Sequence, residues 1–251
     1  MTYCIGLDLA DGLVMLADTR TNAGVDNVST FSKMHVFENA GERVIVALSA
    51  GNLAISQSVM SILSEGIEPD DETLYSVPSM FKAAELVGSA IRKVFARDGE
   101  ALAAQKVSFD VSIMLGGQIA GRRMRLFQVY AAGNFVETTT DTPFLQIGEH
   151  KYGKPILDRA VHHDTPLGDG VKLALISMDS TLRSNLTVGL PVDLLVYRRD
   201  SLDIAMRRRI NAEDTYFKEI RELWSQALRD AYRAMPNPTW ADYQELLNPG
   251  P

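Results

Sequence analysis

The order in which two hydrophobic periodicities succeed one another constrains the fold of this chain more than any other feature. Period two comes first. Residues 3–9 alternate loosely, residues 13–17 form a short apolar run, and Asp11-Gly12 between them is a strong hairpin signal. Residues 34–38 and 43–49 make a second pair around Asn39-Ala40-Gly41. Helical spacing follows. Asn52 can cap a helix running to Glu65, with Ile55, Val59, Ile62 and Leu63 on one face. A second helix fits 77–97, with Phe81, Ala84, Leu86, Ile91 and Phe95 apolar, and the acidic stretch 65–76 reads as the loop between them.

Strands return at 107–115 and 124–131, with Gly116-Gly117 and Gly121 read as punctuation, and again at 144–147. Residues 150–162 and 167–181 read as two helices, and 192–198 with 201–206 as a hairpin around Arg199-Asp200. From Asn211 a long amphipathic helix carries Phe217, Ile220, Trp224, Leu228, Ala231 and Met235 on one stripe, and Pro236 ends it. Strands, two helices, strands, two helices, strands is an α+β order. It fits a four-layer αββα sandwich of two antiparallel sheets with a C-terminal helical extension better than it fits a parallel sheet. No repeat or linker interrupts it, so one domain over 1–210 is expected, with a helix and tail over 211–251.

Composition narrows the function classes. The chain has 251 residues, 46% of them hydrophobic and 23% charged, which suits a globular core and excludes disorder. Its net charge of −7 and the absence of any basic run longer than Arg207-Arg208-Arg209 argue against a nucleic-acid partner. Cys4 is the one cysteine, so no intrachain disulfide or multi-thiolate zinc site can form, and neither a metal nor another cofactor is expected. No apolar run nears the roughly 20 residues of a membrane span. The first residues lack a basic leader, so a cytoplasmic protein with no membrane partner is expected.

The chemistry centres on Thr2. If an aminopeptidase removes Met1, Thr2 carries a hydroxyl nucleophile and a base on one residue. An α-amino group has an ordinary pKa of about 7.7–8.0 and can take the hydroxyl proton near neutral pH, so no histidine is needed.

Around Thr2 the chain reads Asp11-Gly12, Leu16-Ala17-Asp18-Thr19-Arg20, a lone Lys33, then Ser49-Ala50-Gly51. This succession resembles the start of a proteasome β-type subunit. Tyr152-Gly153-Lys154-Pro155-Ile156-Leu157-Asp158, Ser177-Met178-Asp179-Ser180 and residues 185–193 resemble the bacterial Anbu (ancestral β-subunit) branch. The resemblance covers residues 2–210. It implies the N-terminal nucleophile hydrolase fold and a threonine protease: a hydrolase that cleaves peptide bonds through an acyl-enzyme, as a subunit of a homo-oligomeric ring or helical turn. It implies Thr2 as nucleophile and Lys33 beside it, lowering the amine's pKa. Asp18 would orient Lys33, the Gly51 N–H would donate to the oxyanion, and Asp179 would complete the catalytic set. Arg20, Ser49 and Ser180 would bind substrate, Ser49 favouring small or polar side chains. The implied partners are a peptide or unfolded protein, further copies of the chain, and an unfoldase.

Two positions depart from the family pattern. Glu149 stands where the family has a serine near the terminal amine, and a carboxylate there raises the amine's pKa. The family's serine three residues after its aspartate would fall on Leu182, leaving Ser180 and Ser184 as candidates. A non-proteolytic assembly protein and an amidase of the same superfamily are the alternative readings. Residues 148–154 nearly match a phosphate loop, but Pro155 replaces the metal-binding hydroxyl and lacks an N–H.

Overall fold

A computed structural model describes residues 2–23, 27–240 and 243. Two compact units make up the chain, Met1–Asp214 and Thr215–Pro251. In the first, β1 (Tyr3–Leu9) and β2 (Gly12–Asp18) form the hairpin that Asp11-Gly12 predicts, β3 (Arg20–Ala23) pairs with β4 (Asn27–Thr30), and β5 (Met34–Asn39) pairs with β6 (Arg43–Gly51). Helix α1 (Leu53–Glu65) starts where the Asn52 side chain accepts the N–H groups of Ala54 and Ile55, and α2 (Met80–Ala104) starts where Ser79 accepts that of Lys82. β7 (Val111–Ile119), β8 (Arg125–Val129), β9 (Phe135–Glu137) and β10 (Phe144–Gly148) follow. Then come α3 (Lys154–Ala160), α4 (Leu167–Ser184), β11 (Val192–Arg198) and β12 (Ile204–Ile210). The second unit holds α5 (Thr215–Ala234), on which Leu228 is exposed, as is Met235 just beyond it.

The strands form two five-stranded antiparallel sheets, β10-β1-β2-β11-β12 and β5-β6-β7-β8-β9, with β3-β4 a separate ribbon. Strand alternation builds two cores. Ile45, Ala47, Ile113, Leu115, Phe127 and Val129 face Val59, Leu63, Ala84 and Ile91 of α1 and α2. The opposite faces, with Val44, Val46, Leu48 and Met114, meet Cys4, Leu13, Met15 and Ala17 of the other sheet. Helix α4, with α3 beside it, covers β1 and β2. The layers are therefore helix, sheet, sheet, helix, as the element order predicts. Each fully buried leucine or isoleucine contributes about 1.5–3 kcal/mol, and β1 is buried on both faces, which ties the start of the chain into the centre of the sandwich.

Several boundaries differ from the sequence expectations. The ribbon β3-β4 is unexpected because its residues are polar and carry no apolar alternation; pairing of backbone groups defines it. β9 is too short to show a period. β7 starts four residues later than expected and runs through Gly116-Gly117, which do not punctuate it. Gly116 packs against Leu13 and Leu126, and a side chain at Gly117 would overlap the Val44 carbonyl, so these glycines admit close neighbours. α3 spans only Lys154–Ala160, with Pro155 in its first turn. β12 is displaced towards the C-terminus because Asp200 and Leu202 both take positive φ and lengthen the turn. α5 begins at Thr215: the Asn211 side chain accepts the Glu213 N–H, a local turn that competes with helix. Among the described residues, no helix is long and apolar enough to cross a membrane.

Candidate active site

Thr2 precedes β1 by one residue and is 7% exposed. The pairing of β1 with β10 extends to it, because the Glu149 N–H donates to the Thr2 carbonyl at 2.6 Å. Gly148, at φ 82°, permits that approach; a β-carbon there would overlap the Thr2 carbonyl. Alternation puts Thr2 on the same side of the strand as Cys4, which packs between the sheets, and puts Tyr3 on the helix side.

Asp18, at the end of β2, is fully buried and collects four donors. The Tyr3 N–H donates to Oδ1 at 3.0 Å, the Arg20 and Gly189 N–H groups to Oδ2 at 3.2 and 3.3 Å, and Lys33 Nζ to Oδ1 at 2.7 Å. Burial pushes the Asp18 carboxyl above its ordinary value, and the Lys33 ammonium and the N–H groups of Tyr3 and Gly189 pull it back. Lys33 is 3% exposed and also donates to the Arg20 carbonyl at 2.7 Å. Two of its three N–H donors are therefore used by the described residues. The peptide that follows Thr2 thus shares one carboxylate oxygen with a buried ammonium.

Thr2 lines a cavity of about 1640 Å³. Ala50, Gly51 and Asn52 line it too, as do Thr21 and Ser29 of the small ribbon, Gly148 and His150. Gly51 ends β6 at φ 105°, with the Asp110 carbonyl where a side chain would stand. Ser49 is buried and, by alternation with Ile45 and Ala47, lies on the helix side of β6; Ala50, not Ser49, lines the cavity.

The remaining expected residues lie around this centre. Arg20 joins it through its backbone, while its guanidinium donates to the Leu186 carbonyl at 2.8 Å, away from the cavity lining. Asp179 is buried in α4 and paired with Arg183 one turn on, at 2.9 Å. Ser180, half-buried, follows it on the helix and is not part of the cavity lining. Glu149 is buried; its carboxylate accepts the Lys151 N–H at 3.0 Å and the Asn185 amide at 3.3 Å. Cys4 donates weakly to the Ser49 carbonyl, and burial pushes its thiol up, so it stays protonated. Tyr3, Gln146, Ser177 and the Gly189 N–H were not anticipated from sequence. Backbone donors have no residue signature, and the side chains meet only after folding. Among the described residues no group of three His, Cys, Asp or Glu side chains forms a metal site.

The arrangement ties the peptide after Thr2 and a buried ammonium to one carboxylate oxygen, and Thr2 and Gly51 line the same cleft. No family model and no curated protein matches the chain. Solved structures do. Anbu (ancestral beta-subunit) from Yersinia bercovieri is 46% identical over 95% of this chain and 100% of that one, with a TM-score of 0.89. The helical assembly of the Anbu complex from Pseudomonas aeruginosa is 50% identical over 95% and 99%, with a TM-score of 0.91. Anbu from Hyphomicrobium sp. strain MC1 is 48% identical over 95% and 100%, with a TM-score of 0.85.

Proposed function

The chain belongs to the Anbu (ancestral β-subunit) family, and from that premise we propose that it is a threonine peptidase whose nucleophile is Thr2 after loss of Met1. The α-amine takes the Thr2 hydroxyl proton as Oγ attacks a peptide carbonyl. The remaining Lys33 N–H stabilises the developing negative charge on Oγ, and the Gly51 N–H donates to the oxyanion of the tetrahedral intermediate. Collapse expels the leaving amine, which takes the proton back from the α-ammonium, and an ester to Thr2 remains. Water, deprotonated by the same amine, hydrolyses that ester and restores the hydroxyl.

The observation that carries this reading is the shared Asp18 oxygen. It fixes Lys33 and the peptide after Thr2 to one point, 2.7 and 3.0 Å from their donors. Asp179 would support the amine's surroundings from α4. Arg20 would act through its backbone, and Ser49 and Ser180 would act indirectly on substrate binding, since neither lines the cavity. The substrate is a peptide or unfolded chain, delivered by an unfoldase if the source is folded, in the cytoplasm. Working copies assemble as a homo-oligomer. The P. aeruginosa relative is described as a helical assembly, and the exposed Leu228 of α5, with Met235 just beyond the helix, offers apolar contact area.

One observation favours a second reading, a non-proteolytic assembly protein. The buried Glu149 carboxylate sits on the residue that holds the Thr2 carbonyl. Near the amine it favours the ammonium, which cannot act as a base.

Intact mass and turnover separate the two. We expect a mass lower by one methionine residue, hydrolysis of members of a short-peptide panel, and a loss of about 10⁴-fold in Thr2→Ala with the fold kept. Retention of Met1, or equal turnover in Thr2→Ala, overturns the peptidase reading. Turnover of non-peptide amides alone would identify an amidase.

A further inference from the structure

Directly behind Thr2 lies a polar cluster that the steps above leave without a role. Tyr3 is fully buried on the helix side of β1. Its phenol donates to Ser177 Oγ of α4 at 2.7 Å and accepts from the Gln146 amide of β10. Ser177 in turn donates to the Gly153 carbonyl at 2.9 Å. A β-carbon at Gly153 would overlap both the phenol oxygen and Ser177 Oγ, so only glycine leaves room for this chain of bonds. On the other side, the Tyr3 N–H donates to Asp18. Phenylalanine would pack as well, but apolar contact has no direction. A buried hydroxyl must be satisfied, and hydrogen bonds are directional, so this one fixes the ring's position and the strand's rotation together. Burial pushes the phenol up, which keeps it a neutral donor.

We propose that Tyr3 is the positioning residue for Thr2. Successive strand residues point to opposite faces, so the anchor that holds Tyr3 among α4, β10 and the Gly153 turn also holds the Thr2 hydroxyl towards the cavity. The proposal rests on the reading of Thr2 as nucleophile. Its own geometric content can be measured apart from that reading.

The test uses Tyr3→Phe and Ser177→Ala in the full-length protein. Ser177→Ala removes the phenol's acceptor without altering β1, so it decides the matter if Tyr3→Phe does not fold. Peptide hydrolysis and amide hydrogen exchange are read together. We expect kcat to fall tenfold or more, with KM within twofold. The two N–H groups that flank Thr2, those of residue 3 and Glu149, should exchange at least tenfold faster. The Ser49 N–H, bonded to the Lys33 carbonyl, should keep its rate. An unchanged kcat with unchanged exchange overturns the proposal, and so does a uniform acceleration at all three positions, which marks a merely structural role. If the native protein hydrolyses no peptide, the nucleophile reading fails and exchange alone decides. Faster exchange confined to the pair beside Thr2 then keeps Tyr3 as its anchor, and its absence overturns it.

Discussion

The two ends of the first strand each have a carboxylate beside them, and the two are held differently. At the Thr2 end, Asp18 is fully buried, bonded to a buried ammonium at 2.7 Å and to three backbone N–H groups. At the far end, Asp8 keeps some solvent contact. It accepts from the Thr138 hydroxyl at 2.7 Å and lies 3.8 Å from Arg199. Arg199 spends its shorter bonds, 2.6 and 2.9 Å, on the Ala10 and Leu9 carbonyls. Burial raises both carboxyls, yet only one has a cation sealed in with it. A sealed cation is costly to desolvate, and the Asp18 carboxylate and the Arg20 carbonyl offset that cost at Lys33. The far end ties a turn to its neighbours, whereas the Thr2 end stores a fixed electrostatic field.

Removing the sealed carboxylate should break the contrast most severely. Asp18→Ala leaves Lys33 buried with only the Arg20 carbonyl, and it should cost about 3–5 kcal/mol in denaturant unfolding. A loss under 1 kcal/mol would mean the pair is solvated. Lys33→Met should cost less, about 2–3 kcal/mol. The Asp18 carboxyl is already raised, so it can take up a proton and stay neutral. Turnover should nevertheless vanish. Full turnover at neutral pH would remove Lys33 from the chemistry. Gly51→Ala should cost about 1–3 kcal/mol, because φ 105° and the Asp110 carbonyl both oppose a side chain. Its kcat should fall further than its stability alone explains, and a kcat that merely tracks the unfolded fraction would argue against an oxyanion role.

The smallest effect belongs to the far end. The folded state holds the Asp8 proton to higher pH than the unfolded chain does. That stabilisation is present at low pH and is lost as pH rises from about 3.9 through the raised folded value. Asp8→Asn should flatten this slope by about 1 kcal/mol or less, measured as unfolding free energy against pH, with turnover untouched. A drop in turnover would show that the two ends are coupled.

Much of the fold was legible in local pattern. Asp11-Gly12 announced the β1-β2 hairpin, and Asn52 the start of α1, because each signal acts through its own backbone. Gly116-Gly117 misled, since a glycine that ends a strand and a glycine that admits a neighbouring strand look alike in sequence. Of the expected site, Thr2 could be named from its own chemistry, and Asp18, Lys33 and Gly51 through the resemblance to a proteasome β-type subunit. Ser49 could be named but not oriented. One residue of register moves a side chain to the opposite face, and Ala50 took the cavity side.

Periodicity and turn preference are local properties, so the layers, the hairpins and the residue types available to the chemistry were already present in the order of the residues. Which groups share an atom was settled by packing. Tyr3 and Ser177 are 174 positions apart, and Asp18 and Gly189 are 171 apart. No local rule relates such pairs. They meet because two sheets and a helix layer close on the first strand, and burial then makes every unmade hydrogen bond there costly enough to fix the arrangement.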